Sequence, residues 1–203
     1  MTELLIPGEE EEGTESIRKK YFTSFDAQAF GGNICDYEKK VLGIQGVGAA
    51  IVTPVWNGGG TVKVTILDSE HNRANEQLLE RVQQTIDPTQ DGQGVGLAPV
   101  GHIVTVDTPS EFKIDINMEI VYDASYGFEI LKAQISGEIE KYLKELREFW
   151  SKDEVLTIRR TQIESRVIGI TGIIDIAQSK LNGKSENIIL SKEYIPVVGV
   201  ITA

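Results

Sequence analysis

The alternation of hydrophobic and polar positions between Val41 and Leu67 predicts a β-hairpin. Residues 62–66 read Val-Lys-Val-Thr-Ile, which is the period of a strand with one buried face. Asn57 and the three glycines that follow it separate this strand from an earlier apolar run, and Asn-Gly between two strands is a strong hairpin signal. We therefore predict two antiparallel strands joined by a turn at residues 57–60.

A related pattern returns 126 residues further along the chain. Residues 167–173 (VIGITGI) align with residues 41–47 (VLGIQGV), and Leu181-Asn182-Gly183 corresponds to Trp56-Asn57-Gly58. The repeat indicates two related halves. We predict an α+β protein of two small related α/β modules, each a mixed or antiparallel sheet packed with helices.

Apolar residues spaced three and four apart predict amphipathic helices, and strict alternation predicts strands. The clearest alternation covers residues 112–122, which should form a long strand with one wet face, in an antiparallel or mixed sheet covered by helices on one side. Pro196 suggests that the final strand lies on an edge or begins at a bulge. The predicted helices are Ile17–Ala29, Ile34–Leu42 with Gly43 near its cap, Ala74–Ile86, Phe128–Leu146 and Gln162–Ile168. The further predicted strands are Val100–Val106, Thr157–Arg160, Ile173–Ala177, Ile188–Leu190 and Val197–Thr202.

Charge and turn residues suggest where the chain divides. Residues 1–15 hold six Glu and no Lys or Arg, a composition typical of a flexible acidic tail. Thr108-Pro109-Ser110 resembles a hinge between the halves. We predict a tail at 1–15, a first module at 16–108 and a second at 109–203.

The composition argues against several classes of function. The chain has 203 residues, with 20 Lys and Arg against 31 Asp and Glu, for a net charge of −11 and no basic stripe. Nucleic acid and anionic membranes both require clustered positive charge. The apolar runs are too short to cross a bilayer, and the N-terminus lacks the basic start of a signal peptide. Cys35 is the single cysteine, which indicates a reducing compartment.

The glycine clusters do not form a nucleotide motif. Gly58-Gly59-Gly60 lacks the spacing of a phosphate-binding loop and is followed by a strand where that motif needs a helix. Residues 92–96 are not a dinucleotide fingerprint, and we interpret residues 89–99 as a mobile loop.

The reactive side chains also form no recognisable set. His71 lies in a polar connector and His102 opens a strand, and a single cysteine leaves too few ligands for zinc. Cys35 is expected to be a buried or neutral thiol. Asp115 and Glu119 share one strand face at about 13 Å, too far apart for a catalytic pair, so a solvated face explains them. We expect no catalytic residue, cofactor or metal site, and no enzyme.

Two tryptophans are the positions where a contact surface is expected. Trp56 and Asn57 stand at the hairpin corner, and Trp150 stands at a helix end. An indole at such a position can reach a partner as an interface anchor, although packing over its own core is the default interpretation. Trp56, Asn57 and Trp150 are therefore the candidate interface residues.

Many short motifs, in order along the chain, resemble the baseplate J-like family, from about Thr14 to the C-terminus. They include Gln28-Ala29-Phe30-Gly31-Gly32-Asn33, Gly43-Ile44-Gln45-Gly46-Val47, Pro54-Val55-Trp56-Asn57-Gly58-Gly59-Gly60-Thr61-Val62, Gly96-Leu97-Ala98-Pro99-Val100-Gly101-His102 and Ile195-Pro196-Val197-Val198-Gly199.

The resemblance implies a structural wedge subunit of the baseplate of a contractile phage or prophage tail. Its expected partners are copies of itself and other wedge subunits, with no nucleic acid, membrane or small-molecule substrate. The expected location is the virion, after assembly in the cytoplasm of the bacterial host. Members of the family usually carry an N-terminal region that is replaced here by the short acidic tail.

Two other hypotheses stay open at this point. One is a cytoplasmic ligand- or peptide-binding α/β module without catalysis, which would use the loop Gly92–Pro99 as a lid. The other is an enzyme for a small acidic or neutral substrate, which rests only on scattered carboxylates and one thiol.

Overall fold

The structure, a computed structural model, describes Thr14, Glu15, Arg18 and residues 31–203. Most of the predicted acidic tail and of the helix expected at Ile17–Ala29 lies outside the described residues. Residues Gly32–Ala203 pack as one compact unit, and this unit carries the features described below.

Helices and strands alternate along this unit in an α+β arrangement, as predicted. Asn33 and Asn75 cap the first two described helices, each accepting a hydrogen bond of 2.9 Å from a backbone N–H three residues on. The described elements are α1 (Ile34–Leu42), β1 (Val47–Pro54), β2 (Thr61–Asp68), α2 (Glu76–Ile86), β3 (Ile103–Asp107), β4 (Ser110–Tyr122), α3 (Phe128–Glu148), β5 (Leu156–Ile158), α4 (Arg160–Val167), β6 (Ile173–Leu181), β7 (Ile188–Leu190) and β8 (Tyr194–Thr202).

The first sheet has the order β1-β2-β3 and contains the predicted hairpin. β1 and β2 are antiparallel, and β3 joins β2 in parallel after the crossover through α2. Val62, Val64 and Ile66 are buried, as the alternation predicted. Helix α1 lies against β1, and α2 lies against β3.

The second sheet has the order β6-β4-β8. β4 is the long strand that alternation predicted; it is antiparallel to β6 and parallel to β8. Helix α3 packs against β8, and a small antiparallel pair forms between β5 and β7. Pro196 lies in the outer strand β8, which agrees with the predicted edge position.

The repeated segment takes the same local conformation in both modules. The Ile44 N–H donates to Val41 and the Val47 N–H to Ile44, and the aligned residues 167–173 repeat both bonds with the same lengths, 3.0 and 3.1 Å. Gly46 and Gly172, at equivalent positions, have φ of +99° and +100°, a region that L-residues rarely adopt. Each segment carries the chain from a helix into an outer strand.

The two sheets differ in chain order beyond this corner. In the first sheet the outer antiparallel strand β1 precedes the central strand, whereas in the second the outer strand β6 follows it. Asn182 and Gly183 form a tight turn with φ of +48° and +78°. However, β6 pairs with β4, and the next strand, β7, pairs with β5. The turn at Asn182 therefore does not join two paired strands, whereas the turn at Asn57 joins the hairpin strands β1 and β2.

Residues 108–110, which were expected to form a hinge, are held in place by burial and a hydrogen bond of Thr108. Thr108 is buried, and its hydroxyl oxygen accepts a hydrogen bond of 3.0 Å from Ala74 N–H. Ala49 and Leu67 of the first sheet belong to the hydrophobic core of the second. The two sheets thus share a core, and the domain boundary at 108/109 stays a prediction from the sequence.

Candidate assembly surfaces

The connection between β1 and β2 forms a rigid corner. The Val55 N–H donates to the Thr61 carbonyl at 2.7 Å, and the Thr61 side-chain oxygen accepts from the Asn57 N–H at 3.0 Å while donating to Gly58 at 2.7 Å. Val55 has φ of +57°, which is unusual and strained for a β-branched residue. The hydrogen bonds therefore hold the corner in one conformation although its backbone is strained.

Trp56 projects from this corner into solvent. Trp56 is 43% exposed, and the Lys63 ammonium lies 5.6 Å from the centroid of its ring. Asn57 is also exposed, with its backbone N–H committed to the turn. The structure thus leaves both residues accessible, and their role in an interface stays a prediction.

A second loop lies beside the corner. The Ile103 N–H donates to the Gly60 carbonyl at 2.9 Å, and the Gly101 N–H donates to Gly92 at 2.8 Å. Six exposed apolar residues come from these two connected loops and from the first residue of β3, and Val100 is 80% exposed. We call this set the corner patch: Val55, Trp56, Val95, Leu97, Val100 and Ile103. Several exposed apolar residues on connected loops favour a protein interaction site.

A groove of about 440 Å³ starts at Trp56 and continues toward the second sheet. Lys63 and Asp107 form an ion pair of 2.8 Å in it. Burial raises the pKa of Asp107, but the hydrogen bonds from Lys63 and the Thr108 N–H outweigh it and hold the pKa below its ordinary value. The other wall includes Lys192 and Glu193. The groove has both charges and an exposed indole, which suits a polypeptide better than a small apolar ligand.

Trp150 lies in the core and not at a contact surface. It is fully buried, and its indole N–H donates to the Lys192 carbonyl at 3.0 Å. The sequence places Trp150 just after helix α3 but does not show which side of the chain is covered by the second sheet. Through this hydrogen bond the buried indole holds the backbone of Lys192, a residue that lines the groove.

The single thiol and the two histidines do not meet in a reactive pair. Of the two alternatives expected for Cys35, a buried or a neutral thiol, the first is wrong: Cys35 is exposed in the first turn of α1, because the buried face of α1 is formed by Tyr37 and Val41. The His102 Nδ1 lies 2.9 Å from the Tyr37 hydroxyl. Among the described residues, no three His, Cys, Asp or Glu side chains are grouped to hold a metal ion.

Asp115 and Glu119 are two of the three carboxylates of β4. Asp115 is exposed, as expected of a solvated face, and its Oδ1 also accepts a hydrogen bond of 2.8 Å from the Val200 N–H, where the register between β4 and β8 shifts. Its role is therefore to complete the sheet at a bulge. Glu119 is exposed.

The Gly-rich loop is held at both ends. The Leu97 and Ala98 N–H groups donate to the last turn of α2, at 3.3 and 2.8 Å, and Asp87 binds the Gln90 N–H at 3.0 Å. Burial and the negative charge of Asp87 raise the pKa of the nearby Tyr37 to about 12. These contacts do not favour the use of residues 92–99 as a hinged lid.

Comparisons with known proteins agree with the sequence resemblance. Residues 29–108 match the baseplate J-like central domain, and residues 114–203 match the baseplate J-like protein C-terminal domain. In the described part of the chain, no helix has the length and apolar character needed to span a membrane.

Two relatives come from Bacillus subtilis strain 168: the phage-like element PBSX protein XkdT and the uncharacterized protein YqbT. Each is 34% identical to this chain over 197 residues, which is 97% of this chain and 55% of the relative. The chain thus spans about half the length of these relatives.

A structure of the anti-feeding prophage baseplate, determined by cryo-electron microscopy with six-fold symmetry, contains a similar fold. The TM-score is 0.55 at 8% identity, over 95% of this chain and 42% of that chain. This likeness concerns the fold, whereas the two domain matches cover nearly the whole sequence. The expected resemblance is confirmed, and the chain belongs to the baseplate J-like family.

Proposed function

We propose that this chain is the assembly-forming part of a baseplate wedge subunit, a structural protein without catalytic activity in the tail of a contractile phage or prophage. Its partners are copies of itself and neighbouring baseplate proteins, and its location is the tail of the assembled particle. The observation that carries the proposal is the match of both baseplate J-like domains, over residues 29–108 and 114–203.

The surface of the chain supports a role in assembly. The corner patch presents six apolar residues on two hydrogen-bonded loops and at the start of β3, and the groove beside it ends at an exposed tryptophan. Interfaces between proteins typically bury about 800 Å² per partner and are centred on such aromatic anchors. We therefore place the contact with a neighbouring subunit at the corner patch and the groove.

The proposal is tested in a host strain that carries the complete gene. The double variant Trp56→Ala, Val100→Asp removes the indole and puts a charge into the patch, while Phe149→Ala alters another exposed aromatic residue as the matched control. We expect at least about a tenfold drop in complete tails for the double variant, counted by electron microscopy, because a buried unpaired charge costs several kcal/mol. The control should assemble normally.

Two results would contradict different parts of the proposal. Normal tail assembly by the double variant would remove the corner patch from the interface. Purified tails that lack the polypeptide altogether, by mass spectrometry, would remove the baseplate role itself.

A further inference from the structure

Strand β3 is an outer strand of the first sheet, so half of its backbone polar groups point away from the sheet. The Ile103 N–H is bonded to Gly60, the residue immediately before β2, which shows that odd-numbered residues of β3 face β2. By alternation along the strand, Val104 and Val106 turn their N–H and C=O groups to the open side. These are the groups that a strand from another chain would bind.

Side chains bind three of these four outward groups: both N–H groups and the Val104 carbonyl. The Val104 N–H donates to Asp87 Oδ2 at 2.9 Å, and the Val106 N–H donates to Gln83 Oε1 at 2.9 Å. The Val104 carbonyl accepts from Gln83 Nε2 at 3.0 Å and from Gln90 Nε2 at 2.9 Å. We call Gln83, Asp87 and Gln90 the edge cap.

The edge cap is a fixed structure. Asp87 is 1% exposed, and its second carboxylate oxygen binds the Gln90 N–H. Gln83 Nε2 also donates to the Asp87 carbonyl at 2.6 Å, which ties the cap to the end of helix α2. Gln90 is held at φ of +51°, a conformation that glycine would adopt at lower cost, but glycine has no amide to reach Val104.

The outer strands of the second sheet are limited by other means. In β8 the Pro196 carbonyl is bound by the buried Arg147 at 2.9 Å, and β6 has two register shifts against β4. Bulges and proline are common ways to prevent pairing at a sheet edge. The edge cap is the counterpart in the first sheet, since β3 itself is regular and consists of Ile-Val-Thr-Val-Asp.

We propose that the edge cap closes β3 to strand addition by a second copy of this chain or by a neighbouring subunit. A regular edge strand rich in β-branched residues is otherwise exposed to uncontrolled pairing with strands of other chains. With β3 closed, the contacts of this module form through side chains elsewhere on its surface. This inference rests on the hydrogen bonds alone and does not depend on the baseplate role.

The first experiment measures amide hydrogen exchange by NMR in the unaltered chain. Val104 and Val106 N–H should exchange slowly, as amides inside a sheet do, although both lie on the open side of an outer strand. Exchange at the rate of unprotected amides would overturn the proposal directly, without any variant.

The second experiment replaces Gln83 with methionine, which keeps the length of the side chain and removes its donor and acceptor. Gln84→Met, one residue along the same helix and exposed, is the matched control. We expect roughly tenfold faster exchange at Val106 in Gln83→Met, from the loss of one hydrogen bond, with no change in the control. Sedimentation should show concentration-dependent self-association of Gln83→Met and none of the Gln84→Met control.

A further variant separates loss of the cap from loss of folding. Asp87→Asn has the same shape but one acceptor oxygen in place of two, so its NH₂ group must face either the Val104 or the Gln90 N–H. We expect faster exchange at Val104 and self-association in this variant also. If Gln83→Met and Asp87→Asn keep their circular dichroism spectra and sediment as the Gln84→Met control does, the cap does not block strand addition and the proposal fails.

Discussion

Adding a methyl group at Gly172 should destabilise the protein far more than the same change at the equivalent Gly46. The two glycines have nearly identical φ, +100° and +99°, so alanine is strained equally at both. Their surroundings differ. A Cβ at position 172 would lie 2.5 Å from Tyr126 Cγ, whereas at position 46 it would lie 3.3 Å from a terminal methyl group of Leu78, which can move.

The magnitude follows from two separate costs. Placing a non-glycine residue at this φ costs about 2 kcal/mol, which applies to both sites. Overlap with an aromatic ring adds about 2 kcal/mol at Gly172 only, because the ring of Tyr126 must move away from its position against Gly172. We therefore expect a loss of about 4 kcal/mol in the free energy of unfolding for Gly172→Ala and about 2 kcal/mol for Gly46→Ala.

A double-mutant cycle measures how much of the loss at Gly172 comes from overlap of the added methyl group with the Tyr126 ring. With Tyr126→Ala as the background, Gly172→Ala should cost only the backbone strain, so the coupling free energy between the two positions should be about 2 kcal/mol. Gly183→Ala is a further control, because its φ is +78° and no atom lies within 4 Å of the added carbon. It should lose about 1 kcal/mol.

The assay is unfolding by urea, followed by tryptophan fluorescence and circular dichroism. Equal losses for Gly172→Ala and Gly46→Ala, or a coupling below about 0.5 kcal/mol with Tyr126→Ala, would refute the argument that ring overlap decides the difference.

Two further predictions concern the core and the contact between helix α3 and the connection that follows β2. Trp150→Ala should lower the free energy of unfolding by about 3–5 kcal/mol, since the indole is fully buried and its N–H holds the Lys192 carbonyl; urea unfolding measures the loss. The hydrogen bond from Lys144, with its positive charge, lowers the pKa of Glu70 from its ordinary value of 4.5. The contribution of this ion pair to stability is therefore complete above about pH 4.5 and is lost as the pH falls through the lower pKa that Glu70 has in the folded state. Glu70→Gln removes the titrating group, so the free energy of unfolding should depend less on pH in acid.

Regular elements could be predicted from the sequence because they depend on local spacing. The stripe of Leu78, Val82 and Ile86 predicted α2, and the alternation of residues 112–122 predicted β4, with boundaries shifted by only a few residues. The strand expected to begin at Val100 begins at Ile103, because the backbone turns at Gly101, where φ is +86°. A turn of this kind leaves little trace in hydrophobic periodicity.

Burial of single side chains at element ends could not be predicted in the same way. Cys35 is exposed and Trp150 is buried, each decided by which neighbouring element covers it. The edge cap was missed for a related reason. Gln83 and Asp87 bind β3 across about twenty residues of sequence, so their role requires knowing that β3 is an outer strand; the only local signal is a Gln and an Asp four apart at a helix end.

The position of the corner patch follows from the register of the first hairpin. Ala49 pairs with Leu67 at the end of the β1–β2 ladder that enters the shared core, and Pro54 pairs with Val62 at the other end. Along β1 the two pairs are five residue steps apart, which is about 17 Å at the usual rise per residue. The corner therefore lies at the end of the β1–β2 hairpin that is far from the core. The opposite end of the hairpin packs in the core, and hydrogen bonds within the turn hold the corner itself in one conformation. Because a rigid surface loses little conformational entropy on binding, this arrangement favours the corner patch as a site of subunit contact.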